Sequence, residues 1–107
     1  MFASLYLAPR SIQADMYFEH STDKVREAFD NLEYTFGGQI EVEDMVAEAD
    51  YSVAEMVADY VFDLTNNPYR QEEREMKYGR GRSVSVGDVI RVGDTMLVCM
   101  SCGWEQM

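Results

Sequence analysis

The chain has few of the residues that most catalytic and metal sites use. Of its 107 residues, one is histidine and two are cysteine. A serine–histidine arrangement would depend on His20 alone as its base, and neither a phosphate-binding loop nor a dinucleotide fingerprint is present. Carboxylate pairs carry no specificity, because twenty residues are acidic. We therefore expect a protein that is not an enzyme and uses no cofactor.

The two cysteines form one Cys-x-x-Cys pair, Cys99 and Cys102. Structural zinc normally takes four ligands, and a redox pair normally precedes a helix, for which the five following residues are too few. On a strand, positions 99 and 102 point to opposite faces. We expect a structural pair that binds no metal; the alternatives are a zinc ion shared across a dimer and a redox site.

Long apolar runs are also missing. Residues 2–8 are mostly apolar, but they are too few to cross a bilayer and no Lys or Arg precedes them. With two cysteines that suggest a reducing compartment, this predicts a cytoplasmic protein. Apolar residues make up 47% of the chain, which favours a folded protein, and the length fits a single domain over residues 1–107.

Basic residues are scarce, nine against twenty acids, and the formal net charge is −11 at pH 7. The imbalance is local. Positions 15–63 hold fourteen acids and two bases, a net charge of −12, whereas positions 69–91 hold six bases and four acids, a net charge of +2. The acidic region would repel nucleic acid and attract a basic partner. The alternative is that the charge only keeps the protein in solution.

The apolar periodicity predicts helices in the first two thirds of the chain. After a strand over residues 2–8, the segment 15–20 is ambiguous, with a short strand as one interpretation. Ser21 is typical of an N-cap, and a helix from there would stop near residue 36 at the following Gly-Gly pair. A second helix is predicted over 41–49. Ser52 and Glu55 form a capping box, which predicts a third helix as far as Leu64.

The last third of the chain is predicted to be largely β. A turn at 65–68 and a short charged helix over 70–77 precede strands over 83–86, 89–92 and 95–101. Gly87 favours a bend, and Gly93-Asp94 favours a type II′ hairpin turn. The predicted architecture is α+β: a small, mostly antiparallel sheet built from N- and C-terminal strands and packed against two or three helices.

Acidic residues form the first candidate surface. Glu55, Asp59 and Asp63 are four residues apart, which places them about 6 Å from one another along a helix. Like charges at this spacing cost about 0.2–0.5 kcal/mol per pair. Such a row could imitate a phosphate backbone and bind a host defence or nucleic-acid-binding protein; the alternative is a solvated face. The predicted partner-binding residues are Glu41, Glu43, Asp44, Glu48, Glu55, Asp59 and Asp63.

Basic residues form the second candidate surface. Three of them can share one helical face, and two lie beside glycines that would let the backbone approach a phosphate. Because Glu72, Glu73 and Glu75 interleave with them, internal ion pairing is the favoured interpretation, and contact with nucleic acid is the alternative function. The possible phosphate contacts are Arg70, Arg74, Lys77, Arg80 and Arg82.

The end of the chain carries the segments "GRSVSVGDVI" and "LVCMSCGWEQM". They resemble the YodL-like pattern of small uncharacterised proteins from phages, plasmids and bacterial mobile elements. The matching positions are Gly81, Ser83, Val84, Ser85, Val86, Asp88, Val89, Gly103 and Trp104. The resemblance covers about the last quarter of the chain, with weaker support at 65–68. It implies a mobile-element setting, in which small acidic proteins often bind and block host enzymes.

Overall fold

A five-stranded antiparallel sheet runs through the computed structural model, which describes residues 1–18, 21–46 and 52–107, except for the side chains of residues 17 and 18. The order of the strands in the sheet is β2-β1-β3-β4-β5. β2 and β5 therefore lie at its two edges. The strands are β1 (Phe2–Leu7), β2 (Thr35–Glu41), β3 (Val89–Val92), β4 (Thr95–Cys99) and β5 (Trp104–Gln106).

Four α-helices accompany the sheet in the described residues: α1 (Arg10–Phe18), α2 (Thr22–Asp30), α3 (Val53–Asn66) and α4 (Gln71–Lys77). A single 3₁₀ turn, Pro68–Arg70, joins α3 to α4. None of the described helices is both long and apolar enough to cross a membrane. The predicted α+β class and antiparallel sheet are confirmed. Helices were predicted where α2, α3 and α4 lie, whereas α1 was not predicted.

Helices cover both faces of the sheet, because side chains alternate between the two faces along each strand. On one face, Leu5 and Ile90 pack against Val57 and Val61 of α3. On the other face, strand residues pack against α1 and α2, and this second cluster contains Ile12, Met16, Val25, Ala28, Val89 and Val98. α4 has no buried residue and contacts α3. The described residues therefore form two apolar clusters, one on each face of the sheet.

The first half of the chain departs from the predicted elements. The segment 15–18, for which a strand was one interpretation, is helical. Ser21 caps α2 as expected, since its Oγ accepts a hydrogen bond from Asp23 N at 3.3 Å. The helix ends at Asp30 and not near residue 36, and Leu32 follows with a left-handed φ of 60°. Residues 35–41 then pair with β1, a long-range contact that local periodicity could not reveal.

Gly37 and Gly38 do not terminate a helix; they form a bulge in β2. Tyr6 pairs with Phe36 and Leu5 pairs with Gly38, which leaves Gly37 as an extra residue. Gly38 has a φ of 133°, a value that residues with side chains rarely adopt. The helix predicted over 41–49 is also wrong where it can be compared, because residue 41 ends β2 and 42–46 are not helical; 47–51 lie outside the described residues.

The elements that are set by residues close together in the sequence agree better with the prediction. Ser52 Oγ accepts a hydrogen bond from Glu55 N at 3.1 Å and caps α3. Gly93 has a φ of 60° and Asp94 keeps a negative φ, as a type II′ turn between β3 and β4 requires. The predicted strand over 83–86 is wrong, because side chains and not a neighbouring strand hold this segment in place: Val84 N donates to Thr65 Oγ1 at 3.1 Å.

Candidate functional sites

Arg82 is engaged in an ion pair inside the molecule. Its Nη2 lies 2.7 Å from Asp88 Oδ1 and its Nη1 lies 3.0 Å from Oδ2. Asp88 is completely buried and also accepts hydrogen bonds from Ala8 N at 2.7 Å and Ser85 N at 2.8 Å. Two hydrogen bonds reach each carboxylate oxygen, so the buried charge is fully compensated. Arg82 therefore supports the loop before β3.

Arg70 and Lys77 converge on Tyr60 of α3. Arg70 pairs with Asp63 at 2.7 Å and with Glu73 at 3.2 Å, and Lys77 donates to Tyr60 Oη at 2.9 Å. Tyr60 in turn donates to Glu73 Oε1 at 2.5 Å, and both cations lie over its ring, 5.5 and 5.2 Å from the centroid. Burial raises the pKa of Tyr60, and its hydrogen bond to Glu73 does so as well. The phenol therefore stays protonated near neutral pH.

Arg74 is held by uncharged acceptors. Its Nη1 donates to Thr65 O at 2.6 Å and to Ser83 Oγ at 3.1 Å, and its Nη2 donates to Gly81 O. These bonds join α4 to the end of α3 and to the glycine-containing loop after α4. In the described part of the chain, Arg74 has no carboxylate partner within 4.0 Å. Its positive charge is thus fixed in place without being neutralised by an ion pair.

Arg80 differs from the other four basic candidates. It is exposed and makes no hydrogen bond or ion pair with any residue that the structure describes. The internal ion pairing favoured by the sequence is therefore observed for Arg70, Lys77 and Arg82, whereas Arg74 binds uncharged acceptors instead of a carboxylate among the described residues. Only Arg80 projects from this segment without a partner in the described residues.

The acidic row on α3 is also largely engaged. Asp63 pairs with Arg70, and Asp59 Oδ1 accepts a hydrogen bond from Trp104 Nε1 at 2.8 Å. Glu55 is half-buried in the first turn of the helix. Two of the three carboxylates thus bind groups on neighbouring elements, so the row is not a simple solvated face. Glu48 lies outside the described residues.

The remaining acidic candidates lie together at the edge strand β2, and we call Glu41, Glu43 and Asp44 the acidic edge. All three are exposed, and the Asp44 side chain is 92% exposed although its Oδ1 lies 3.5 Å from the amine of Met1. Beside them is an open groove of about 510 Å³. Its lining residues are Phe2, Gln39, Glu41, Val42, Glu43, Met76 and Lys77.

Two exposed apolar side chains line the same groove. Phe2 is 55% exposed and Met76 is 88% exposed. Sequence reasoning missed both, since Phe2 belongs to an apolar run and Met76 is a single apolar residue in a charged segment. The pairing of β1 with β2 and the position of α4 bring them beside the acids. Only the tertiary structure reveals this juxtaposition.

A second open groove, of about 580 Å³, lies between the end of α3, α4 and the loop after α4. We call it the arginine groove, because Arg74 and Arg80 both line it. The other lining residues are Thr65, Asn66, Asn67, Pro68, Gln71, Glu75, Gly79 and Ser83. It thus brings the turn at 65–68 together with Gly79, Arg80 and Ser83, which follow it in the chain after α4.

The two cysteines have different environments. Cys99 is buried at the end of β4, whereas Cys102 is exposed in the turn before β5. Burial raises the pKa of the Cys99 thiol to about 12, and the negative charge of Asp88 contributes. Because the thiolate is the reactive form, Cys99 is a poor nucleophile near neutral pH. Among the described residues, no three His, Cys, Asp or Glu side chains are grouped so as to hold a metal ion.

Comparison with known proteins gives no relative from which a role could be transferred. No protein-family model matches the chain, and no curated protein or solved structure is significantly similar to it. A function has to be argued from the grooves and charges described above.

Proposed function

We propose that the chain is a non-enzymatic protein that binds a basic surface of another protein through the acidic edge. The observation that carries this proposal is that exposed Glu41 and Glu43 line the same groove as the apolar side chains of Phe2 and Met76, with exposed Asp44 next in the chain. Protein interfaces commonly combine an apolar centre with a polar rim. The matching partner surface has Lys and Arg around an apolar contact.

The charge of the whole chain favours such a partner. A net charge of −11 speeds the approach of a basic protein and slows the approach of nucleic acid. The paired cations of the 70–82 segment neutralise Asp63, Glu73 and Asp88, and among the described residues none of them pairs with Glu41 or Glu43. The mobile-element resemblance implies a host defence or nucleic-acid-processing protein as the partner.

The acidic edge, rather than the row on α3, is the surface to mutate. Reversing Asp59 or Asp63 would break its contact with Trp104 or Arg70, so a loss of binding could reflect a damaged fold. The carboxylates of Glu41 and Glu43 have no such contacts in the described residues, and Asp44 meets only the amine of Met1. Their reversal should leave the fold intact.

The test compares two triple variants with the same change in charge. One carries Glu41→Lys, Glu43→Lys and Asp44→Lys. The control carries Glu27→Lys, Asp30→Lys and Glu33→Lys, three exposed positions at α2 and just after it. Immobilised protein is used to capture partners from a bacterial lysate at about 0.05 and 0.3 M salt, since screening weakens contacts between exposed charges.

We expect the first variant to lose at least about 10-fold of the captured partner, while the control keeps most of it. Capture by the unmodified chain should also fall at the higher salt concentration. Equal losses in the two variants would show that only net charge matters, which contradicts a role for the acidic edge. Failure of the unmodified chain to capture any protein at low salt would contradict the proposal as a whole.

A further inference from the structure

We propose that the arginine groove binds a small phosphate monoester that also carries hydroxyl groups, such as a nucleoside monophosphate. This site is separate from the acidic edge, and the proposal does not depend on the proposed protein-binding function. The groove, about 580 Å³, falls in the range typical of small-molecule sites.

The first support is the guanidinium of Arg74. Its bonds to Thr65, Ser83 and Gly81 fix its position before any ligand binds. They use three of the five N–H donors that an arginine carries, so two donors remain. With no carboxylate partner in the described residues, Arg74 keeps its full charge in the wall of the groove. A fixed, unneutralised guanidinium is well suited to a phosphate oxygen.

The second support is Arg80, which lines the same groove. Its side chain makes no hydrogen bond or ion pair with a described residue, so a ligand would not have to displace an existing ion pair. Gly79 precedes it with a φ of 86°, and a Cβ added there would meet no atom within 4 Å. The backbone is therefore open to the approach of a ligand at this point. Two arginines can hold one phosphate group from two sides.

The other side chains that line the arginine groove indicate which class of ligand it would bind. Glu75 is the one acidic residue that lines the groove, and it makes no ion pair with a described residue. A carboxylate accepts hydrogen bonds, so a ligand with hydroxyl or amino groups beside its phosphate is favoured over inorganic phosphate. Gln71 is exposed in the same wall and can donate or accept.

The charge balance favours a small anion over a polymer. Two guanidiniums and one carboxylate give the groove a local charge of +1, whereas the whole chain carries −11. A nucleic acid needs several free cations in succession, but Arg70, Lys77 and Arg82 are paired inside the chain. A single phosphate group can balance the positive charge of the groove, and it does not extend along the acidic surface of the chain.

The test is a titration of the ¹⁵N-labelled chain with adenosine monophosphate, followed by amide chemical shifts at constant ionic strength. We expect saturable shifts at Arg74, Gly79, Arg80 and Ser83 below about 10 mM ligand, which corresponds to weak binding. The variant Arg80→Ala should weaken binding about 10-fold, because it removes a charge-assisted contact. The matched control is Arg26→Ala, an exposed arginine on α2, which should bind like the unmodified chain.

Separate titrations use adenosine, inorganic phosphate and a 20-nucleotide single-stranded DNA. The proposal is supported if adenosine gives no saturable shift and inorganic phosphate gives weaker shifts at the same amides. It is overturned if adenosine binds as tightly as the monophosphate, if the DNA binds more tightly, or if the two arginine variants behave alike. The absence of saturable shifts also overturns it. Partner capture through the acidic edge should be unaffected by Arg80→Ala, so the two proposals can fail separately.

Discussion

Arg82 Nη2 lies 2.7 Å from Oδ1 of Asp88, a carboxylate with no exposed surface. The same carboxylate accepts from the backbone N–H of Ala8, eighty residues earlier in the chain. One side chain thus extends the contact between β1 and β3 beyond their last strand pair, Tyr6 with Val89. Arg82, which the sequence offered as a possible phosphate contact, therefore has a structural role.

The Asp88 carboxylate should be a large contributor to stability. Asp88→Ala leaves Arg82 without its partner and two backbone N–H groups without acceptors. We expect the free energy of unfolding to fall by about 2–4 kcal/mol, because two backbone N–H groups lose their acceptor, whereas the exposed Arg82 can be hydrated. Urea denaturation followed by circular dichroism measures the change. The exposed control Glu33→Ala should stay within about 0.5 kcal/mol, and a loss below about 1 kcal/mol for Asp88→Ala would contradict this role.

The hydroxyl group of Thr65 should contribute more to the stability of the fold than its methyl group does. It is buried and accepts from Val84 N at 3.1 Å. Thr65→Val keeps the shape but leaves that N–H without an acceptor, which costs about 1–3 kcal/mol. Hydrogen exchange of the Val84 amide should accelerate in this variant. Thr65→Ser keeps the hydroxyl and should protect the amide; equal protection in both variants would show that the hydrogen bond is unimportant.

The two thiols should react at different rates. In the native chain at pH 8, Ellman's reagent should modify Cys102 rapidly, and Cys99 at least about 100-fold more slowly, because the buried thiol needs local opening. Cys102→Ser should abolish the fast phase, and both thiols should react at once in denaturant. A fast reaction of Cys99 in the folded chain would overturn the assignment of that thiol as buried and protonated.

Stability should decrease at alkaline pH. The pKa of Cys99 is about 12 in the folded chain, so the unfolded chain loses the thiol proton first. The unfolded state then binds fewer protons, and the free energy of unfolding falls as the pH rises from about 9 through 12. Burial raises the pKa of Tyr34 in the same direction, with the charge of Asp88 contributing. Urea titrations at pH 8, 10 and 11 measure the decline.

The variant Cys99→Ala distinguishes the contribution of the Cys99 thiol to this pH dependence from the contribution of the tyrosines. This variant loses some stability at every pH because it removes buried volume, but its decline above pH 9 should be shallower than that of the unmodified chain. Parallel curves for the two proteins would exclude Cys99 as a source of the pH dependence.

The sequence predicted correctly those helix starts and turns that depend on residues only a few positions away. Ser52 caps α3, and Gly93 forms the turn between β3 and β4, because each acts within three or four residues. β2 was missed, since its Gly-Gly pair resembles a helix end and becomes a bulge only when β1 lies beside it. The segment 83–86 alternates like a strand, yet Thr65 and Asp88 supply its hydrogen bonds instead of a neighbouring strand.

The candidate sites were predicted in part. The acidic residues were recognised by their number and sign, but their exposure at β2, next to Phe2 and Met76, depends on how two strands and a helix meet. Arg80 could not be distinguished from Arg82 in the sequence, where only Gly81 separates them and both lie beside a glycine. Their difference arises from Asp88, which is buried next to one of them.

The sign of the charge, the α+β class, the N-caps and the hairpin turn all follow from the amino-acid sequence, because their causes lie in composition or in residues close together in the chain. Which charges are available to a partner depends on the three-dimensional packing. An ionic side chain is neutralised by whatever the fold places within about 4 Å of it, and hydrogen bonds to Asp88 come from as near as Ser85 and as far as Ala8. Such partners are set by packing, which no local pattern encodes.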